Sequence, residues 1–324
     1  MPRKIHGTVH HHQGATFKEI IMIMPAIASI PRRADTSLEI VPLGNGFGAD
    51  ILGFDFERFD DGQVAQLRAA WLDHGVVRFR GYRLSDEQQV RLTGMLGEFV
   101  KHPRQLKGEE GAHPDHEEIL VIGNAKVDGK VAGTMGNSEA QWHTDTWFYE
   151  RPPAAALLHA IELPPEGGDT YFADMYGIYD RLPSALREIL EGRLIQSTTI
   201  FDGAGRIRAG QKAPETTDIR LWAHMRHPIV RTHAESGRNC LYVGIESESS
   251  WIVGLPLDES AAVLSEIFDH VRQPANQFKQ VWEDGDMIMW DNRCTMHRRD
   301  GWDGRYTRVM HRTTTLGERP FYRY

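Results

Sequence analysis

Apolar and polar positions alternate along most of this chain from residue 37 onward. "SLEIVPL" (37–43) and "GADILGF" (48–54) read as strands with a glycine-containing turn between them. "DDGQVAQLRAAWLDHG" (60–75) switches to the helical period, with Val64, Leu67 and Trp71 on one side. "VVRFRG" (76–81) returns as a strand, and Ser85 with Gln88 forms a capping-box pattern for a helix over 86–99. Further strands are expected at "EILVIGN" (118–124), "AAALLHAIEL" (154–163) and "DTYFAD" (169–174). Helices are expected at "SALREILEG" (184–192) and, with Asp258 as cap, at "ESAAVLSEIFDHV" (259–271). "FKQVWEDGDMIMWDN" (278–292) predicts a hairpin turning at Asp284-Gly285. "YTRVMHRTTTLG" (306–317) closes the chain as a strand. The sum is a mainly β fold with helical cover, a sandwich or barrel.

No repeat or low-complexity linker divides residues 37–324, which read as a single domain. Residues 1–36 read as a loose N-terminal extension, its His10–His12 run as a solvated tail, and Met22 or Met24 as other possible starts. A signal peptide is disfavoured there because Lys18 and Glu19 flank the short apolar stretch poorly. Residues 201–220, glycine-rich and polar, read as a long loop of the kind that forms lids. A net charge of −8 excludes a nucleic-acid footprint. No apolar run is long enough for a membrane span, and two cysteines make no disulfide framework, so a cytoplasmic protein is expected.

The candidate chemistry begins at "WHTDTWF" (142–148). Read as a strand, it points His143 and Asp145 to one face, as two legs of a metal site or by chance. His297, where the apolar strand "DMIMW" emerges into a loop, is the candidate third leg. Two histidines and one carboxylate leave open positions on Fe(II) for oxygen chemistry. Arg308 and Arg312 lie four apart in the last strand and share a face. A buried guanidinium is costly unless an anion meets it, so the two suggest one anionic cosubstrate and one anionic substrate, or else two structural ion pairs. His311 faces the other way.

"WHTDTWF", "GGDTYFADM", "HPIVRTHAESGRNCLYV", "WDNRCTMHR" and "TRVMHRTTTLGERPF" together resemble the taurine dioxygenase and 2,4-dichlorophenoxyacetate dioxygenase family, from about residue 40 to the C-terminus. The resemblance implies a double-stranded β-helix (jelly roll, cupin-like) and a 2-oxoglutarate-dependent dioxygenase using Fe(II) and O2. It places the iron ligands on His143, Asp145 and His297. It places 2-oxoglutarate on Thr170 and Arg308, and the substrate anion on Arg312. Thr170 lies 27 residues after His143, and Arg308 lies 11 after His297. A further pocket histidine corresponds to His113, with His116 as rival. Relatives are commonly dimers or tetramers, and a homo-oligomer is expected.

The chain departs from its relatives at "HAESGR" and at the acidic "GIESESSW", where Glu246 and Glu248 either shape the pocket or are solvated. The branch pattern favours an aryloxyalkanoate cleaved at its ether. The alternatives are taurine, an alkyl sulfonate or an alkyl sulfate ester. A non-catalytic jelly-roll binding protein and a zinc hydrolase are the competing classes. The intact triad opposes the first, and the paired arginines with Thr170 oppose the second.

Overall fold

The structure is a computed structural model and describes residues 37–44, 46–100, 110–127, 130–198, 200, 207, 211–222 and 224–323. Two sheets carry the fold. The larger runs, edge to edge, through strands Glu39–Pro42, Ala49–Leu52, Val76–Phe79, Met287–Asp291, Pro153–Glu162, Val309–Leu316, Leu120–Gly123 and Thr134–Met135. The smaller runs through Gln277–Gln280, Thr170–Asp174, Thr295–Arg299 and Ala140–His143. Between the sheets lie Val76, Leu120, Ile122, Ala156, Leu158, Phe172, Ile288, Trp290 and Met310. These alternate along their strands with residues that face outward, as the two-residue period requires. Burying each large side chain stabilises the sandwich by about 1.5–3 kcal/mol.

Helices cover both outer faces. Helix Asp61–His74 and helix Asp86–Leu96 pack Leu67, Trp71 and Leu92 against Val77, Leu157 and Met289 of the larger sheet. Asp60 caps the first helix at the Gln63 N–H, and Ser85 with Gln88 forms the expected capping box on the second. Helices Met175–Arg181 and Leu257–Arg272 cover the smaller sheet, with Tyr176, Val263 and Ile267 against Ala173 and Met296.

Four expectations need correction. The strand at "WHTDTWF" ends at His143, and Asp145 lies in the following turn. There Thr146 takes φ 38°, which ends the extended run. The segment 278–292 is not a hairpin: Gln277–Gln280 pairs with Thr170–Asp174, while Met287–Asp291 joins the other sheet. Both strands would leave an unburied face if they paired only with each other, so the chain crosses the sandwich at Asp284-Gly285 instead. His297 sits inside strand Thr295–Arg299 and not in a loop. The helix at 257–272 begins on Pro256, with no side-chain cap from Asp258, which lies in its first turn.

The N-terminal extension lies outside the described residues, as do residues 201–206 and 208–210 of the expected lid. Of its described residues, 207 and 211–220, the last lead into a 3-10 turn, Ile219–Leu221.

Candidate active site

Among the described residues, three groups bring donor atoms within 4.8 Å of one another: His143–Asp145–His297, Asp86–His113–His311 and His233–Asp291–Cys294. Their histidine tautomers differ. A neutral imidazole has one N–H and one lone pair, so a partner at Nδ1 decides what Nε2 can do. His143 Nδ1 lies 2.7 Å from the Gln141 carbonyl oxygen and donates to it, which leaves the Nε2 lone pair for a metal. His113 Nδ1 accepts the backbone N–H groups of Asp115 and His116, and His233 Nδ1 those of Glu235 and Ser236. Their Nε2 atoms therefore carry the proton and face Asp86 and Asp291, each at 3.1 Å. These two groups are built around proton-bearing His–Asp contacts. The first keeps a lone pair open at His143 Nε2 and is the candidate metal donor set.

Strand pairing assembles that set. His143 and His297 are register partners on adjacent antiparallel strands, with ring centroids 4.2 Å apart. Asp145 is brought in by its turn, which Asn292 pins. The Asp145 backbone N–H donates to Asn292 Oδ1 at 3.3 Å, and Trp290 Nε1 donates to the same oxygen at 3.0 Å. Asp145 Oδ1 lies 4.0 Å from His297 Nε2 and accepts from Arg312 Nη1 at 2.9 Å. Its Oδ2 is buried with no hydrogen-bond partner among the described residues.

Electrostatics prepare the donors. Burial pushes the His297 imidazole down to about 3, helped by the charge of His143, and burial lowers His143 too. Burial works to raise Asp145, but Arg312, His297 and His143 outweigh it and hold the carboxyl below its usual range. Two neutral imidazoles and one carboxylate suit a first-row divalent metal, and the unpartnered Asp145 Oδ2 gives it a ligand atom to meet.

A cationic pocket lies further along the same inner face. Thr170 Oγ1 accepts from Trp282 Nε1 at 3.1 Å, so its own O–H is left to donate. Arg308 is 1 % exposed, sits 5.3 Å from the Trp302 ring centroid, and gives Nη2 to the Gly168 carbonyl at 3.2 Å. Its Nε and Nη1 have no hydrogen-bond partner among the described residues. Burial pushes this guanidinium down to about 9, and nearby Arg299 adds to the effect. The Asp169 carboxylate offsets part of that shift but forms no ion pair with Arg308 among the described residues, and a buried cation with open donors is a site that expects an anion.

Gly168 makes the close approach possible. At φ +72° it occupies the left-handed region, and a Cβ there would lie 2.9 Å from Arg308 Nε. Gly168→Ala is therefore expected to displace the guanidinium and weaken the binding of a carboxylate there about tenfold, or ~1.4 kcal/mol. Titration of wild type and variant with small mono- and dicarboxylates checks this.

The structure thus brings His143, Asp145, His297 and Arg312 together, with Thr170 and Arg308 in the adjoining pocket. It does not bring His113 there. His113 lies across the larger sheet, edge-on to His311 at 5.0 Å and beside Asp86, because position 311 points away from the face that holds Arg312. His116 faces Glu87 at 3.5 Å. Glu246 pairs with Arg272 on the covering helix. The sequence did not show Trp282 and Asn292, which orient Thr170 and Asp145 through contacts 112 and 147 residues apart in the chain, or Trp302, whose ring lies against Arg308.

Proteins of known activity resemble this chain over most of its length. An alpha-ketoglutarate-dependent 2,4-dichlorophenoxyacetate dioxygenase of Burkholderia sp. (strain RASC) is 34% identical over 257 residues, covering 75% of this chain and 82% of that one. An alpha-ketoglutarate-dependent sulfate ester dioxygenase of Pseudomonas putida is 29% identical, covering 91% and 94%. The protein is accordingly an enzyme of the class that consumes α-ketoglutarate (2-oxoglutarate) to oxygenate a second compound. The crystal structure of a taurine dioxygenase from Burkholderia xenovorans superposes with a TM-score of 0.69 at 31% identity, covering 88% of this chain and 91% of that one. Residues 39–314 match the family described as taurine catabolism dioxygenase TauD, TfdA family, and the chain belongs to it.

Proposed function

We propose that the enzyme is an Fe(II)- and 2-oxoglutarate-dependent oxygenase that hydroxylates a small anionic organic substrate at a carbon next to a heteroatom. We read its sandwich as a double-stranded β-helix. The observation that carries the proposal is the His143 tautomer, fixed by Gln141, together with a buried arginine whose Nε and Nη1 have no hydrogen-bond partner among the described residues.

His143, Asp145 and His297 would hold the iron, and the residues present fit it in donor type and in open lone pairs. When bound, iron with the keto acid supplies the oxidising chemistry, releasing succinate and CO2. Arg308 and Thr170 grip the far carboxylate of 2-oxoglutarate, one by a charged fork and one by a hydroxyl that Trp282 orients. Arg312 steadies Asp145 through Nη1 and keeps its Nε free, within reach of the cleft lined by Leu120, Pro153 and Thr314. The dry setting of these side chains strengthens each charged contact.

An aryloxyalkanoate is the preferred substrate class, since the first-named relative acts on 2,4-dichlorophenoxyacetate. Hydroxylation beside the ether oxygen would split a phenoxyacetate into a phenol and glyoxylate. A sulfate ester is the second reading, carried by the Pseudomonas relative. The test is succinate release across phenoxyacetates, phenoxypropionates, taurine, alkyl sulfonates and alkyl sulfates. The account expects the phenoxy acids to raise succinate formation most, with phenol appearing in equal amount. Stimulation by sulfates or sulfonates alone would overturn the substrate class and keep the reaction type.

A further inference from the structure

Arg299 stands two residues beyond His297 on strand Thr295–Arg299, so both face the inside of the sandwich. Across the ladder it is the register partner of Thr170, just as His297 is of Phe172. Directly opposed side chains on one face of an antiparallel pair lie within contact distance. Arg299 also sits 4.8 Å from the Trp302 ring centroid, the same ring that Arg308 flanks at 5.3 Å. It is 8 % exposed, and no carboxylate of the described residues pairs with it. Nη2 reaches the backbone carbonyls of Met135 at 3.5 Å, Gly136 at 3.3 Å and, more closely, Ser138. Its Nε is buried with no hydrogen-bond partner among the described residues.

Two guanidiniums on one indole, with one hydroxyl between their strands, concentrate more positive charge than a single structural role needs. Carbonyl contacts offset part of the desolvation of Arg299 but neutralise none of its charge. We propose that Arg299 is a second cation of the pocket for the far carboxylate of 2-oxoglutarate, acting with Arg308 and Thr170 to select a dicarboxylate. This rests on the reading that Arg308 and Thr170 hold that carboxylate. The residue positions the keto acid and takes no part in bond-making.

The test compares two five-carbon keto acids, 2-oxoglutarate and 2-oxovalerate, which differ only in the far carboxylate. Dissociation constants are measured without oxygen on metal-loaded full-length protein, by quenching of tryptophan fluorescence. Arg299→Met is expected to weaken 2-oxoglutarate roughly 10- to 100-fold, the size of a lost charged hydrogen bond. It should leave 2-oxovalerate within about twofold. Arg299→Lys keeps the charge but not the Nη2 contacts to the carbonyls of Met135, Gly136 and Ser138, and should retain most of the dicarboxylate preference.

Equal weakening of both keto acids, or loss of preference in Arg299→Lys as complete as in Arg299→Met, would mean that Arg299 only braces the loop and would overturn the proposal. An unchanged preference in Arg299→Met would overturn it too. Arg308→Met separates this from failure of the underlying reading. If Arg308→Met abolishes the preference and Arg299→Met does not, only Arg299 is misassigned. If neither changes it, the pocket itself is misassigned.

Discussion

His297→Ala is expected to lose stoichiometric iron(II) binding and to slow 2-oxoglutarate turnover on the order of 10³-fold or more, because two remaining donors cannot fix the metal beside the arginine pocket. The fold should survive. His297 is buried as a neutral ring whose pair, His143, stays in register through the strand backbone, so the loss is chemical and not architectural. Metal content after anaerobic loading and succinate formation measure the two effects. A variant that keeps both iron and turnover would remove His297 from the donor set.

Asp291→Ala should have the largest effect on stability. Asp291 is fully buried and accepts from Arg293 Nε at 2.8 Å, from Arg293 Nη2 at 2.7 Å and from His233 Nε2 at 3.1 Å. Removing it strands a buried guanidinium, with Glu235 on Nη1 at 2.6 Å as the principal remaining partner. Breaking one side of such a buried pair costs about 3–5 kcal/mol, which lowers Tm by roughly 10 °C in a chain of this size.

The sign of its pH dependence follows from the carboxyl. Burial works to raise its pKa, but the charge and hydrogen bonds of Arg293 and His233 win and hold it well below the usual carboxylate range. A depressed folded pKa stabilises at pH above the unfolded value of about 3.9, and that contribution is lost as pH falls toward the folded value. The Tm gap between wild type and Asp291→Ala should therefore be steady from about pH 8 to 5 and narrow below about 4. A gap that widens on acidification would contradict the assigned network.

Much of this was legible in the chain. Ser85 and Gln88 announced their helix because a capping box is local chemistry. The face shared by Arg308 and Arg312 followed from strand period alone, though Arg308 precedes the strand proper. The same two-residue rule applied to "HRR" after position 297 would have exposed Arg299. What the chain hid was pairing. Nothing local tells Met287–Asp291 to join Pro153–Glu162 when Gln277–Gln280 stands nearer in sequence. Nor could spacing show that Asp145 leaves its strand, since Asn292, 147 residues away, holds that turn. His113 failed as a pocket residue for a related reason. Its partners Asp86 and His311 come from a covering helix and the outward face of a strand, and only the assembled sheet says which side of the sandwich they share.

The most direct measurement is a single turnover. Iron(II)-loaded enzyme is mixed without oxygen with 2-oxoglutarate and a phenoxyacetate, then exposed to oxygen, and succinate is counted against a His143→Ala control. The account predicts about one succinate per iron site in the wild type and none above background in the control. Equal succinate in both, or none in either at full iron loading, would contradict the assignment of this site as the oxygenase centre.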